Sequence, residues 1–379
     1  MALLPTYSEQ REAARRRLPH MLFEYIDSGA SDERTLNANR AGFEQIRLKQ
    51  RVMRDMSDLD MSGELAGDAA SMPVALGPVG FAGMYARRGE VQAARAAAKE
   101  EVPFCLSAVS VCDYEEVVRG TGQTPWFQLY MIRDRAYMRD LIDRVVAAGA
   151  RTLVFTVDMP LPGIRYRDAR SGLYDTGLRG FMRQAWQGMG HPNWLWDVYL
   201  RGRPHGFGNF AAAIEGKKGL GDYWAWIRSN FDCSTNWDDL EWVRARWRGK
   251  ILIKGVLCAE DAVAAFDAGA DGVIVSNHGG RQLDGVPSSI EVLPAIVDAV
   301  GGRGTVLVDG GVQSGLDVLK ALALGADGCL LGRAWAFALA AGGERAVAAM
   351  LEALKAELRV AMTLTGCKTL READRSLLD

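Results

Sequence analysis

A histidine and an arginine stand three residues apart in Ser276-Asn277-His278-Gly279-Gly280-Arg281, directly after a short β-branched run at 272–275. An imidazole can take up a proton near neutral pH, and a planar guanidinium grips a carboxylate, so the pair suits proton abstraction from an anionic substrate. The preceding run has strand character, and its C-terminal end would deliver both groups into a pocket. Gly279 and Gly280 permit positive φ and a close backbone approach, as a loop wrapping a flat ligand requires. Of the 4 histidines in the chain, His278 alone has such neighbours.

Stepping outward from this loop, short apolar runs at 72–76, 104–107, 126–130, 152–158, 251–256, 272–277, 305–309 and 328–331 alternate with amphipathic or alanine-rich stretches such as 91–100, 136–148, 261–268, 290–300 and 316–324. Eight β/α units predict a TIM (β/α)8 barrel, here with an N-terminal helical segment and a long insertion after the fourth strand. Gly269-Ala270-Asp271-Gly272 and Gly325-Ala326-Asp327-Gly328 each mark a helix end turning into a buried strand. At 379 residues the chain exceeds an average domain, but barrels of this class run long, so one barrel domain over 1–379 is the expectation.

Barrel sites form where strand C-termini meet their loops. Collected strand by strand, those ends carry Ser107, then Gln128 and Tyr130, Thr156 and Asp158, Lys254, His278 and Arg281, and Asp309. Lys254 lies inside the apolar run 251–256, a placement lysine seldom takes without a partner. Asp309-Gly310-Gly311 follows the seventh strand and Gly332-Arg333 the eighth, where barrels bind phosphate through backbone N–H groups. Together they predict a phosphorylated cofactor.

These residues resemble the FMN-dependent L-2-hydroxy acid dehydrogenases and oxidases over nearly the whole chain. The resemblance is carried by 22–30, Phe127-Gln128-Leu129-Tyr130, Thr156-Val157-Asp158-Met159-Pro160, Ile253-Lys254-Gly255, the His278 loop and Asp309-Gly310-Gly311-Val312; 83–90 and 362–366 are most similar to the membrane-associated, respiratory L-lactate branch. It implies FMN as cofactor and an L-2-hydroxy acid as substrate, L-lactate going to pyruvate, with membrane quinone as acceptor. The alternatives are (S)-mandelate or another L-2-hydroxy acid, and a soluble oxidase forming hydrogen peroxide.

The resemblance also implies roles. Arg281 and Arg165 would hold the substrate carboxylate, Tyr130 and Tyr25 would hydrogen-bond the substrate, His278 would be the base, and Asp158 would face the imidazolium. Lys254 would lie beside the flavin N1 edge, Ser107, Gln128 and Thr156 at its polar edges, and Pro78, Val79 and Gly80 against the ring. Asp309, Gly310, Gly311, Gly332 and Arg333 would complete the cofactor site. The family's arginine after Asp-Gly-Gly is replaced by Gln313, which shifts the expected phosphate charge onto Arg333, and Val109 leaves room for a substrate methyl or somewhat larger group. A homotetramer is implied by the relatives.

The insertion, placed at 170–235, carries Arg170, Arg179, Arg183, Arg201, Arg203, Lys217 and Lys218 against Asp175, Asp197 and Glu215, interleaved with Phe181, Trp186, Trp194, Trp196, Phe207 and Phe210. Basic and aromatic residues together suit docking at an anionic lipid interface. A lid or an oligomer contact with buried aromatics is the competing reading. Overall, 45 basic against 47 acidic residues exclude a global polyanion binder, so nucleic acid is not an expected partner. Scattered cysteines without a CxxC motif, no secretory signal pattern and no metal-ligand spacing complete the expectation of a metal-free protein on the cytoplasmic side of the membrane, peripherally attached.

Overall fold

The computed structural model describes residues 5–214 and 220–379; Glu215, Lys217 and Lys218 of the predicted basic segment lie outside the described residues. Ten strands form: β1 (Gly63–Leu65), β2 (Asp68–Ala70), β3 (Val74–Leu76), β4 (Cys105–Ser107), β5 (Trp126–Leu129), β6 (Thr152–Thr156), β7 (Lys250–Val256), β8 (Gly272–Val275), β9 (Thr305–Val308) and β10 (Gly328–Leu331). The last eight pair in parallel in the order β3-β10-β9-β8-β7-β6-β5-β4. A parallel bridge between Leu76 and Phe104 joins the two ends and closes the barrel. Each expected run is a strand, trimmed by a few residues where the chain turns into its loop.

The interior follows from the two-residue period of a strand. Ala75, Cys105, Trp126, Val154, Leu252, Ile274, Leu307 and Leu330, one from each strand, form a single apolar cluster inside the barrel. The β1–β2 hairpin, absent from the strand pattern read in the sequence, plugs the N-terminal end with Leu65, Ala66 and Ala70 in that same cluster. Its two turn residues, Ala66 (φ 49°) and Gly67 (φ 94°), both take positive φ as a two-residue type I′ hairpin demands.

The repeated Gly-Ala-Asp-Gly is one device used twice. The Asp271 carboxylate accepts from the Ile251 N–H at 2.9 Å and the Asp327 carboxylate from the Val306 N–H at 2.7 Å. Each aspartate thereby pins its strand to the start of the neighbouring one.

N-terminal helices wrap the last barrel units. Tyr7–Arg17 starts on a Thr6/Glu9 capping box and packs Tyr7 edge-on against Phe337. His20–Asp27 buries Met21, Leu22, Phe23, Tyr25 and Ile26, which aims Tyr25 at the barrel mouth.

Between β6 and β7 the chain leaves the barrel through helices Tyr166–Ser171 and Gly177–Met189, a wide π-helical stretch Leu195–Leu200, the 3₁₀ turns of Gly208–Ile214 and the helix Leu220–Asn230, and returns through Trp237–Arg244. Its aromatics divide. Trp194, Phe207, Phe210, Trp224 and Trp226 are buried, whereas Phe181, Trp186 and Trp196 face outward.

Candidate active site

Two residues beyond the apolar layer the same inward register reaches Gly77, Ser107, Gln128, Thr156, Lys254, Ser276, Asp309 and Gly332. An apolar ring thus carries a polar ring above it, because side chains two apart on a strand share a face. The shared register of the strand-end polar residues is a property of the closed barrel.

A cavity opens over this ring. Among its lining residues are Tyr25, Pro78, Val79, Gly80, Tyr130, Thr156, Arg165, Lys254, His278, Arg281, Asp309, Gly310, Gly332 and Arg333. Four of the predicted residues stand outside the lining. Asp158 sits behind His278, Ser107 and Gln128 pair with each other, and Gly311 (φ 101°) turns toward the N-terminal helices, where a Cβ would meet the Asn39 carbonyl at 2.3 Å.

His278 is held in a left-handed conformation (φ 57°), followed by Gly279 (66°) and Gly280 (73°). A non-glycine residue rarely persists there unless its surroundings fix it. The fixing groups are visible. The His278 N–H donates to Ser276 Oγ at 3.0 Å, and the buried Asn277 and Asn39 amides donate to each other at 2.7 and 2.8 Å. Gly280 N–H donates to Asn277 Oδ1, and Gly280 O accepts from Ala30 N–H.

His278 Nδ1 lies 2.9 Å from Asp158 Oδ1. Burial pushes the Asp158 carboxyl up, but the imidazole contact and the Lys254 charge outweigh it and hold the group below the usual carboxylate range. An ionised Asp158 keeps the shared proton on Nδ1, which leaves Nε2 as the basic nitrogen. The close approach depends on Gly255 (φ 111°), where any Cβ would stand 2.5 Å from the Cβ of Asp158.

Lys254 Nζ contacts Asp309 Oδ2 at 2.8 Å and donates to Ser276 Oγ at 2.7 Å. Burial alone would lower the lysine, but Asp309 and Asp158 reverse the direction and raise it, so the ammonium persists. Tyr130 is buried, and burial followed by the Asp158 charge raises its hydroxyl well above the ordinary value, leaving it a donor at neutral pH.

Three guanidinium groups approach the same space. Arg165 is buried, contacts Asp168 Oδ2 at 2.9 Å and lies 5.8 Å from the centre of the Tyr25 ring. Arg281 lies 4.9 Å from that ring and donates to the Tyr25 and Ser28 carbonyls. Arg333 donates to the carbonyls of Ile26, Gly279 and Ser28 at 2.8–3.0 Å. Among the described residues neither Arg281 nor Arg333 has a carboxylate within ion-pair distance. Burial, then the neighbouring Arg281 charge, pushes Arg333 down to about 10. Two guanidinium groups set side by side favour an anion between them.

The residues present fit FMN. Gln128 Nε2, Thr156 Oγ1 and Asp309 Oδ1 are buried without hydrogen-bond partners. Such atoms are costly unless a bound group satisfies them, and a flavin edge with its carbonyl and imide groups does so. Gly80 lines the cavity and packs closely on Val109, where a Cβ would meet Val109 Cγ2 at 2.9 Å. Arg333 would supply the charge a phosphate needs. Gln313 borders a separate small hollow with Tyr7, Gln10 and Glu357, outside the main cavity.

Several lining residues escaped the sequence reading. Tyr85, Met159, Trp224 and Ile227 form part of the wall, and Ser276 links Lys254 to the His278 backbone. Ser276 was legible as a polar residue two positions past a strand residue; Trp224 lies in the insertion, whose path no periodicity announces.

The profile of the family described as FMN-dependent dehydrogenase matches residues 14–379. The L-lactate dehydrogenase of Caulobacter sp. (strain K31) is 56% identical over 376 residues, covering 99% of this chain and 98% of the relative. That of Yersinia pestis (strain Pestoides F) is 52% identical over 376 residues, with 99% and 98% covered. The crystal structure of the monotopic membrane protein (S)-mandelate dehydrogenase superposes with a TM-score of 0.92 at 36% identity, covering 100% of both chains. A mandelate oxidase with (S)-4-hydroxymandelic acid superposes at 0.85 and 38% identity, covering 99% of this chain and 98% of that one.

Proposed function

The chain belongs to the FMN-dependent dehydrogenase family, and from that premise we propose that it oxidises L-lactate to pyruvate and passes the electrons to a membrane quinone. The observation that carries the reading is the His278–Asp158 pair, 2.9 Å apart, at the mouth where Arg281 and Arg165 both flank Tyr25. FMN, when bound, supplies the two-electron acceptor.

The protein's own groups then divide the work. Arg281 and Arg165 bind the substrate carboxylate, and Tyr25 adds a hydroxyl between them. Tyr130 donates to the substrate hydroxyl and fixes the α-carbon against the cofactor face. His278 Nε2 removes a proton, either from the α-carbon or from the hydroxyl, and the Asp158 charge stabilises the imidazolium that results. Lys254 holds positive charge at the cofactor edge where reduction places negative charge, and Ser276 ties that lysine to the base. Ser107, Gln128 and Thr156 would bind the flavin edges; Pro78, Val79 and Gly80 would pass along the ring; Asp309, Gly310, Gly332 and Arg333 would serve the remaining polar and phosphate contacts, with Gly311 supporting the turn that presents Gly310.

Lactate is favoured by the near full-length relatives at 52–56% identity. Val109, Met159, Trp224 and Ile227 give an apolar wall suited to a methyl group, and the mandelate-specific relatives keep (S)-mandelate as the second substrate to try. Anaerobic mixing of the yellow holoprotein with L-lactate, (S)-mandelate and glycolate in turn decides it. Rapid bleaching by L-lactate is expected, and bleaching by mandelate alone would transfer the assignment. Adding oxygen afterwards should return colour slowly and form little peroxide; fast reoxidation would make the protein an oxidase.

The segment 170–235 is the proposed docking device on the cytoplasmic face of the membrane. Leu178, Phe181, Met182, Trp186 and Met189 lie on the helix Gly177–Met189 and all are exposed, with Arg179 and Arg183 beside them. An apolar helical stripe flanked by cations suits an anionic interface. No described helix is long and apolar enough to cross a membrane. The homotetramer implied by the relatives is tested by light scattering in detergent.

A further inference from the structure

Behind one wall of the active site lies a second cavity of about 540 Å³ that the reaction leaves unused. Met21, Met84, Trp194, Tyr199, His205 and Tyr223 are among the residues around it. Met84 faces this cavity while Tyr85 faces the active site, and Tyr223 and Trp224 divide in the same way. Met21 and Tyr25, one helical turn apart on His20–Asp27, do so again. The two cavities are back to back, one layer of side chains apart.

The polar side chains around this second cavity include Gln184, Arg203, which lies over the Tyr199 ring at 5.4 Å, and His205. The His205 Nε2 lies 2.8 Å from the Tyr199 carbonyl, and its ring stacks on Tyr199 with centroids 5.4 Å apart. A carbonyl only accepts, so Nε2 carries the proton and the other nitrogen presents a lone pair. That nitrogen, Nδ1, is buried and has no partner. Burial, against the Tyr199 hydrogen bond, holds the imidazole below its ordinary range and so neutral.

Resting on the dehydrogenase reading above, we propose that this cavity binds the headgroup of a lipid-soluble quinone, the acceptor for electrons leaving the FMN site, with His205 Nδ1 accepting from the hydroxyl of the quinol formed. The occupant is defined by chemistry. Methionine and aromatic walls take a largely apolar molecule, the Arg203 guanidinium at the rim suits its carbonyl oxygens, the Tyr199–His205 stack takes a flat one, and the Nδ1 lone pair takes one whose reduced form carries a hydroxyl. Phe181 and Met189, at the cavity's edge, continue into the exposed apolar stripe of Gly177–Met189, which gives a hydrophobic tail a route out. The overall step balances: the 2-hydroxy acid loses one hydrogen from carbon and one from oxygen as its C–O bond becomes C=O, and the quinone gains two electrons and two protons to become the quinol.

The test uses the holoprotein in detergent, decyl-ubiquinone as probe, and two variants outside the catalytic machinery. His205→Phe keeps a ring on Tyr199 but removes Nδ1 together with the Nε2 bond to the Tyr199 carbonyl, and Ala185→Trp fills the cavity from the helix Gly177–Met189. Quenching of tryptophan fluorescence by decyl-ubiquinone, measured without lactate, is expected to saturate in the parent and to shift by about tenfold or more in Ala185→Trp, while inhibition by added decyl-ubiquinol, whose hydroxyl Nδ1 accepts from, is expected to weaken by about tenfold or more in either variant. The KM for quinone should rise in parallel, while turnover of L-lactate with a soluble dye stays within about twofold. Parent-like quenching and quinone KM in both variants would overturn the assignment. Failure of the parent to reduce dye with L-lactate would instead sink the substrate reading, and the quenching titration would still judge the cavity.

Discussion

The barrel mouth and the insertion contribute to one cavity by opposite means. At the mouth, chemistry-bearing side chains stand at fixed two-residue steps above an apolar ring, and each is tied to a neighbour: Lys254 to Asp309 and Ser276, His278 to Asp158, Ser107 to Gln128. In the insertion, position follows from aromatic packing. Trp224 is wedged among Tyr25, Phe81 and Tyr174, while Trp186, from the same excursion, stands in solvent. Register places catalytic atoms to a fraction of an ångström, as acid–base chemistry requires; a packed excursion places a wall and leaves its outer face free for another task. The contrast predicts that substitutions at the mouth change turnover, and those on the outer face of the insertion do not.

The largest effect belongs to the base. His278→Gln should cut substrate reduction of the flavin on the order of 10⁴-fold while the protein stays yellow, measured by anaerobic stopped flow. Parent-like reduction would remove His278 from the reaction and with it the ranking of the two regions. Asp158→Asn should lower turnover by on the order of 10³-fold, because a neutral amide neither orders the Nδ1 proton nor stabilises an imidazolium.

The same variant carries a stability signature. The folded Asp158 carboxyl lies below its unfolded value, so its contribution is fully present above the unfolded carboxylate range and is lost as pH falls through the folded value. The Tm gap between parent and Asp158→Asn should therefore be widest at neutral pH and should narrow below about pH 4. A gap constant down to acid pH would mean that Asp158 gains nothing from its partners.

Arg281→Met ranks next. Its guanidinium has no carboxylate partner to lose, so folding should hold while kcat/KM falls about 10²-fold, with KM raised and turnover lowered. Normal kinetics would leave Arg165 as the sole carboxylate anchor.

How much of this could be read from the sequence follows the same division. The eight barrel strands, the strand-end polar ring and the His278 loop were legible because strand periodicity and glycine placement are local signals. The β1–β2 hairpin was not, since strands of three residues carry too little alternation to register. Asp158 facing the imidazole was expected from the resemblance alone, whereas Gly311 turned toward Asn39 depends on a contact between distant segments that no local signal announces. The aromatics of the insertion illustrate the limit best. Trp194 and Trp196 are two residues apart in equally basic surroundings, yet Trp194 is buried and donates to the Met84 carbonyl at 2.8 Å, whereas Trp196 is exposed. Composition proposed docking or lid for the whole excursion; the folded chain buries some of its aromatic side chains and exposes others.

That division sharpens the last and smallest catalytic prediction. Removing the entire insertion would strip Trp224 and Ile227 from the active-site wall, so its loss of activity would say nothing about membranes. Phe181→Ser with Trp186→Ser touches only the outer face, where both rings are exposed. Each ring carries about 1.5–3 kcal/mol of burial free energy when taken from water into an apolar phase. The double variant should accordingly leave anionic vesicles in a flotation assay at least about tenfold more readily than the parent, with dye-linked turnover of L-lactate unchanged. Retained vesicle binding would move the docking role to another surface. Lost turnover would break the comparison itself, because it would mean that the outer face of the insertion, like the ring at the barrel mouth, helps to hold the reacting groups in place.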